Sequence, residues 1–167
     1  MKRFSGVIFG ICLAGLVTAD PVKELDQVGT ATLRVLFWTI YDSTLYSIDG
    51  EFRGIEPGIA LELTYRRRIT TATLIDWTRR EWQKQSLFGE QSEQWLEILS
   101  SIWSDVKRGD VLVLKVSSDL SSEFYKNDEL IGSLTDPVFT TNFLSIFISE
   151  KSSYPKLRAR LVGIRAD

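Results

Sequence analysis

The feature that most constrains the fold is a change in the spacing of apolar residues along the chain. Between residues 28 and 67 the spacing is that of β-strands, and one strand face is formed by Ile59, Leu61, Leu63 and Tyr65. Between residues 70 and 103 the spacing becomes helical, with a stripe formed by Trp95, Ile98, Leu99 and Ile102. After residue 111 short apolar strands return. Such a succession predicts an α+β fold, in which helices pack on an antiparallel sheet.

Turn and capping signals place the individual elements. Asn127-Asp128 can form a tight hairpin turn, since both residues tolerate the left-handed conformation. Thr70 or Thr71 can cap a helix, and Thr135-Asp136-Pro137 marks another helix start, with Pro at the first helical position. The predicted elements are a long strand over 28–47, a strand over 59–67, helices over about 70–84 and 92–103, a strand over 111–116, a hairpin over 123–133, a helix over about 137–149, and a short helix or strand over 156–164.

The first residues have the three parts of a secretory signal peptide. Lys2 and Arg3 are followed by an apolar run over residues 7–17, and Val17-Thr18-Ala19 fits a cleavage site. The run is shorter than the roughly 20 residues that span a bilayer, so a retained membrane anchor is the weaker alternative. We therefore predict that residues 1–19 are a signal peptide that is removed on export to the periplasm. Residues 20–27 would form a polar lead-in and residues 28–167 a single domain.

The composition excludes several kinds of chemistry. The chain has no His, and its one Cys, Cys12, lies in the predicted signal peptide. An imidazole base, a thiol nucleophile and a His or thiolate metal site are therefore excluded from the mature domain, and we expect no metal and no cofactor. The net charge is −2, and removal of Lys2 and Arg3 leaves 18 basic against 22 acidic residues. An acidic chain without a basic stripe argues against a nucleic-acid partner.

Five segments, in their order along the chain, resemble the bacterial chalcone isomerase-like family. They are residues 37–46 (FWTIYDSTLY), 60–65 (ALELTY), 107–110 (KRGD), 131–139 (IGSLTDPVF) and 157–163 (LRARLVG). The resemblance covers about residues 28–164. It implies an open, largely antiparallel β-sheet packed against a layer of α-helices, with a ligand cleft between the two. In plant members of the family that cleft holds a chalcone or a fatty acid.

The resemblance also implies a protein that is not an enzyme. The plant enzymes close a flavanone ring with the help of an Arg, of Tyr and Thr hydroxyls and of a polar Thr-Met pair that faces the cleft. Ile146-Phe147 occupy the place of that pair here, so a donor aimed at developing charge is missing. We predict no catalytic residues and an exported, non-catalytic binding or accessory protein, which holds a fatty-acid-like or planar hydrophobic ligand or a partner protein. The alternative is an intramolecular lyase or isomerase with a small enone-like substrate.

The residues predicted to contact the ligand are Arg34, Trp38, Tyr41, Phe143 and Phe147. The large apolar side chains, together with Leu36, would form the walls of the cleft. Arg34 would bind a carboxylate head group through its guanidinium fork, and Tyr41 would supply a hydroxyl. The alternative interpretation is structural: Arg34 is then a solvated residue at a strand end, and the aromatic side chains fill a core that has no room for a ligand.

Two further groups of residues admit a functional and a structural interpretation. Arg66-Arg67-Arg68 could bind an anion, but three consecutive strand residues alternate faces, which favours a solvated strand end. Four tryptophans could form an aromatic site for a flat ligand, but their helical spacing favours packing of helices on the sheet: Trp77, Trp82, Trp95 and Trp103.

Overall fold

The computed structural model describes residues 20–164. The predicted signal peptide, residues 1–19, lies outside the described residues, so its removal and the domain limits drawn from it stay predictions. The elements are β1 (Asp26–Val35), β2 (Trp38–Ser47), β3 (Ala60–Tyr65), α1 (Thr71–Lys84), α2 (Ser92–Ile102), β4 (Val111–Val116), β5 (Ser122–Lys126), β6 (Glu129–Leu134), α3 (Pro137–Ile148) and α4 (Pro155–Leu161).

The six strands form one open sheet in which every neighbouring pair is antiparallel and the strands follow their order in the sequence. The main core lies on the face that the helices cover, and it takes alternate residues from the strands, such as Leu61, Leu63 and Tyr65 of β3. A small second cluster, with Val22 and Val113, lies apart from this core. The predicted α+β fold, an open antiparallel sheet packed against helices, is confirmed.

One predicted strand is wrong. The run over 28–47 is not a single strand but the hairpin β1–β2, in which Val35 pairs with Trp38 across Leu36 and Phe37. Leu36 adopts a positive φ of 55°, in the left-handed region. The sequence gives no warning of this turn, because Val35 to Trp38 contains none of the Gly, Asn, Asp or Pro residues that usually mark one.

The helix starts follow the predicted capping chemistry. The Thr70 hydroxyl accepts a hydrogen bond from the Thr73 backbone N–H at 3.2 Å and caps α1. Asp136 Oδ1 accepts from the Val138 N–H at 2.9 Å at the start of α3, while Asp136 Oδ2 accepts from Trp95 Nε1 of α2 at 3.2 Å. One carboxylate thus starts α3 and ties it to α2, which fixes the helix layer over the sheet.

The last element, left open as helix or strand, is a helix. The C-terminal end of this helix packs closely against β1, where Gly29 faces the Arg160 and Leu161 carbonyls. A Cβ on Gly29 would lie only 2.1 Å from the Arg160 oxygen, so this approach requires glycine. Among residues 20–164, no helix is long and apolar enough to cross a membrane.

Candidate functional site

A cavity of about 290 Å³ lies between the sheet and the helix layer. Its inner wall consists of strand side chains from β1 to β5, together with Trp103, Phe143 and Phe147. The strand residues that form this inner wall are Leu33, Tyr41, Leu61, Leu63, Tyr65, Leu112, Leu114 and Phe124. The inner part of this cavity is therefore mostly apolar, which suits a hydrocarbon ligand.

Three polar groups reach the apolar inner part of the cavity. The rings of Tyr41 and Tyr65 meet edge to face, with 6.0 Å between centroids, and burial raises the pKa of both phenols, for Tyr41 with a further contribution from Tyr65. Both phenols therefore keep their protons at neutral pH. Trp103 Nε1 is buried and has no hydrogen-bond partner within residues 20–164. A ligand at this depth would thus meet hydrogen-bond donors, and the Glu81 carboxylate is close enough to contribute to the raised pKa of Tyr41.

The mouth of the cavity is formed by one face of α1 and by the segment before α4. Trp77, Arg80, Glu81 and Lys84 lie on that face at i, i+3, i+4 and i+7, and Tyr154 is also part of the lining. Lys84 Nζ donates to Glu81 Oε1 at 3.1 Å, whereas Glu81 Oε2 is buried without a partner in the described chain. The mouth therefore presents a carboxylate beside two cations.

A shallow groove adjoins the cavity and shares Leu33, Tyr154 and Leu157 with it. Its charged residues are Arg34, Lys156 and Arg160, all of which are exposed. Within residues 20–164 none of the three forms a salt bridge with an acidic side chain, although the charge of Arg34 helps to lower the pKa of Asp42. The groove is thus basic, and it lies directly beside an apolar cavity.

The structure divides the five predicted ligand contacts into two groups. Tyr41, Phe143 and Phe147 lie together in the cavity wall. Arg34 and Trp38 are absent from that wall, and Arg34 lies in the basic groove instead. Arg34 alternates along β1 with the cavity-lining residues Leu33 and Val35, and Trp38 lies at the β1–β2 turn.

The prediction that Leu36 and Trp38 form walls of the cleft is wrong. Leu36 is 87% exposed and Trp38 is 57% exposed, so neither forms a wall of the cleft. The Arg67 guanidinium lies 4.1 Å from the centre of the Trp38 ring, a cation–π contact. Arg66 pairs with Asp42 and Arg68 with Asp105, as expected for a solvated strand end.

Ile146 and Phe147, assigned to the place of the family's polar pair, both line the cavity. Sequence reasoning missed the residues of the mouth, above all Arg80 and Lys84. The signal that could have found them is the helical spacing of Trp77, Arg80, Glu81 and Lys84, which sets an aromatic residue and three charges on one face of α1.

The sheet, the helix layer and the cavity between them define a chalcone isomerase-like fold. The solved structure of a fatty-acid binding protein from Arabidopsis thaliana superimposes with a TM-score of 0.65 over 84% of this chain and 88% of that protein, at 10% sequence identity. A protein of Haemophilus influenzae described as uncharacterized is 21% identical over 153 residues, which are 92% of this chain and 75% of the relative. No protein-family model matches the chain.

Proposed function

We propose that the protein is an exported, non-catalytic binding protein, which holds a single-chain hydrophobic molecule with an anionic head group, such as a fatty acid. The hydrocarbon chain lies in the apolar cavity and the carboxylate lies in the adjoining basic groove. The observation that carries the proposal is that the two spaces adjoin each other and share the lining residues Leu33, Tyr154 and Leu157.

The size and lining of the cavity favour one acyl chain of medium length. Small-molecule sites occupy roughly 300–1,000 Å³, and the cavity, at about 290 Å³, lies at the lower end of this range. Leu and Phe side chains surround most of it, so each Å² of hydrocarbon that enters contributes roughly 25 cal/mol. A planar ligand is the second possibility, because the aromatic side chains of Phe143 and Phe147 could stack against it.

The head group is assigned to the groove because the charges there are of one sign. Arg34, Lys156 and Arg160 present three cations with no salt-bridge partner in the described chain, whereas Glu81 stands beside the cations of the mouth. A carboxylate gains most where it does not compete with a protein carboxylate. The plant structural neighbour is itself a fatty-acid binding protein, which supports the same class of ligand.

Two features of the cavity support binding without catalysis. Tyr41 and Tyr65 have raised pKa values, so neither phenol can act as a base near neutral pH. Ile146 and Phe147, which the sequence resemblance assigns to the place of the plant enzymes' polar pair, offer apolar carbons to the cavity. Export to the periplasm rests on the predicted signal peptide and is part of the proposal.

The test is titration of the purified protein with an anthroyloxy-labelled fatty acid, followed by displacement with dodecanoate. We expect saturable binding, which weakens about tenfold in Arg34→Ala through loss of a charge-assisted hydrogen bond. Arg108→Ala is the matched control, because Arg108 is an exposed turn residue that is part of neither lining. Absence of saturable binding, or equal affinity of wild type and Arg34→Ala, would refute the proposal.

A further inference from the structure

The tip of the β1–β2 hairpin exposes four consecutive large apolar residues. Val35 is 41% exposed, Leu36 87%, Phe37 98% and Trp38 57%. Single exposed apolar side chains are ordinary on protein surfaces, but a contiguous group of this kind marks an interaction site. Within the hairpin tip, residues 35–38, Val35 lines the cavity, but Leu36, Phe37 and Trp38 do not, so their apolar character needs another explanation.

The turn itself departs from the usual chemistry of hairpins. A two-residue hairpin loop favours Asn, Asp or Gly, which accept a positive φ at little cost. Leu36 holds a φ of 55° instead, a conformation that is strained for an L-residue with a large side chain. A strained apolar residue at an exposed turn indicates that the side chain is needed where it projects.

The residues around the tip are basic. Arg34 precedes it on β1, and the Arg67 guanidinium stacks over the Trp38 ring. Neither guanidinium forms a salt bridge with an acidic side chain of residues 20–164. The whole chain, in contrast, carries a net charge of −2. The tip is therefore an apolar projection with a local positive charge on an otherwise acidic protein.

We propose that the hairpin tip docks on the surface of a membrane that contains anionic phospholipids. Leu36 and Phe37 enter the boundary between head groups and acyl chains, where interfacial apolar groups are buried to a depth of roughly 5–10 Å. Trp38 lies at head-group level, as Trp does in membrane proteins, and Arg34 and Arg67 contact lipid phosphates.

A membrane fits this surface better than a protein partner does. A stable protein interface buries roughly 800 Å² and 20–30 residues on each side, whereas the tip is four residues at the end of a two-stranded ribbon. A narrow apolar projection can enter a fluid bilayer without a complementary pocket. The acidic remainder of the chain is repelled by an anionic surface, so only the tip and its two arginines would face the lipid.

The test is flotation of the purified protein with vesicles of phosphatidylethanolamine and phosphatidylglycerol, compared with vesicles of phosphatidylcholine alone. We expect wild type to float with the anionic vesicles. In the double variant Leu36→Ser/Phe37→Ser, the partition coefficient should fall at least about tenfold, since two large apolar side chains no longer leave water. Arg67→Gln should lower binding to anionic vesicles by roughly fivefold, with little change on phosphatidylcholine.

The matched control is Leu130→Ser/Val138→Ser, which removes two apolar residues outside the tip that are as exposed as Trp38. The control should float as wild type does. Equal flotation of the tip variant and wild type, no flotation of wild type on either vesicle, or an equal loss in the control would overturn the proposal. A wild-type oligomer that the tip variant converts to monomer in sedimentation velocity would also overturn it, because a second copy would then cover the tip. The fatty-acid titration is also carried out on the tip variant. Failure of the membrane proposal can then be distinguished from failure of the ligand proposal, because flotation and ligand affinity are measured on the same protein.

Discussion

Truncation of one phenylalanine tests whether the cavity exists in solution. Phe143 and Phe139 lie one helical turn apart on α3 and their rings stack, with 5.7 Å between centroids. Phe139 is fully buried among Trp82, Trp95 and Phe124 and is not part of the cavity lining. Phe143 is also buried, but it lines the cavity. The same substitution at the two positions therefore removes the same atoms from different surroundings.

The expected loss of unfolding free energy depends on the void that each missing ring leaves. Phe→Ala in a core costs about 3–5 kcal/mol, made up of lost transfer free energy and a penalty for the new void. At Phe139 the void is closed on all sides by anchored aromatic rings, so the cost should lie near 5 kcal/mol. At Phe143 one side of the ring already faces empty space, so fewer contacts are lost and the cost should lie near 3 kcal/mol.

The assay is urea denaturation followed by tryptophan fluorescence, with the two variants and wild type measured together. Domains of this size have unfolding free energies of about 5–15 kcal/mol, so both variants should remain measurable. Dodecanoate should then stabilise Phe143→Ala more than Phe139→Ala, because only the first substitution enlarges the ligand site. A cost at Phe143 equal to or above that at Phe139, with no effect of dodecanoate on either variant, would show that the residues around Phe143 form a filled core.

Four shorter predictions concern the mouth, the packing of the C-terminal helix, acid stability and catalysis. Glu81→Gln should tighten dodecanoate binding roughly threefold and leave dodecanol binding unchanged in the displacement assay, because it removes a carboxylate from the mouth; equal effects on both ligands would contradict this. Gly29→Ala should lower the unfolding free energy by about 3 kcal/mol in urea titrations, since its Cβ would collide with the Arg160 carbonyl, and a loss below about 1 kcal/mol would argue against that contact. The Thr32 hydroxyl and the Arg66 guanidinium hold the pKa of Asp42 below its usual range, so the stability they provide is present above about pH 4 and is lost as the pH falls through the lowered pKa. Urea titrations from about pH 5 downward should show this fall reduced in Asp42→Asn, and an unchanged fall would assign it to other groups. Naringenin chalcone should lose its absorbance at the buffer rate in the presence of the protein, and a clear acceleration would favour the isomerase alternative.

The fold was predictable from the sequence wherever the controlling interactions are local. Capping by Thr70 and by Asp136, the hairpin turn at Asn127-Asp128 and the alternation within β3 each involve residues close in sequence, and all four features are present. The β1–β2 turn could not be predicted, because Leu36 violates the chemistry that normally identifies a turn. A continuous apolar run satisfies the pattern of a buried strand whether or not it bends.

The candidate site was predictable only in part, for a different reason. Tyr41 was predicted as a ligand contact and helical spacing placed Phe143 and Phe147 on one face of α3, and all three residues line the cavity. A cavity cannot be distinguished from a filled core by such patterns, because the difference lies in how side chains from distant segments interdigitate. The basic groove depends on α4 packing beside β1, a contact between residues far apart in sequence. No local sequence pattern therefore predicts that Arg34 lies beside Lys156 and Arg160.

The strand β1 connects the cavity, the groove and the hairpin tip, and its alternation explains how one short segment can serve all three. Leu33 and Val35 line the cavity, Arg34 between them lies in the basic groove, and Leu36 is the next residue of the exposed tip. Pairing with β2 shifts by one residue between Leu33 and Arg34, where Leu33 pairs with Tyr41 and Arg34 with Thr39. This shift changes which residues of the two strands lie opposite each other beyond Leu33. Leu33 itself stays in the core, on the strand face that alternation gives it. Under the two proposals above, a ligand that leaves a membrane at the tip would meet Arg34 and the cavity within a few residues of the same strand.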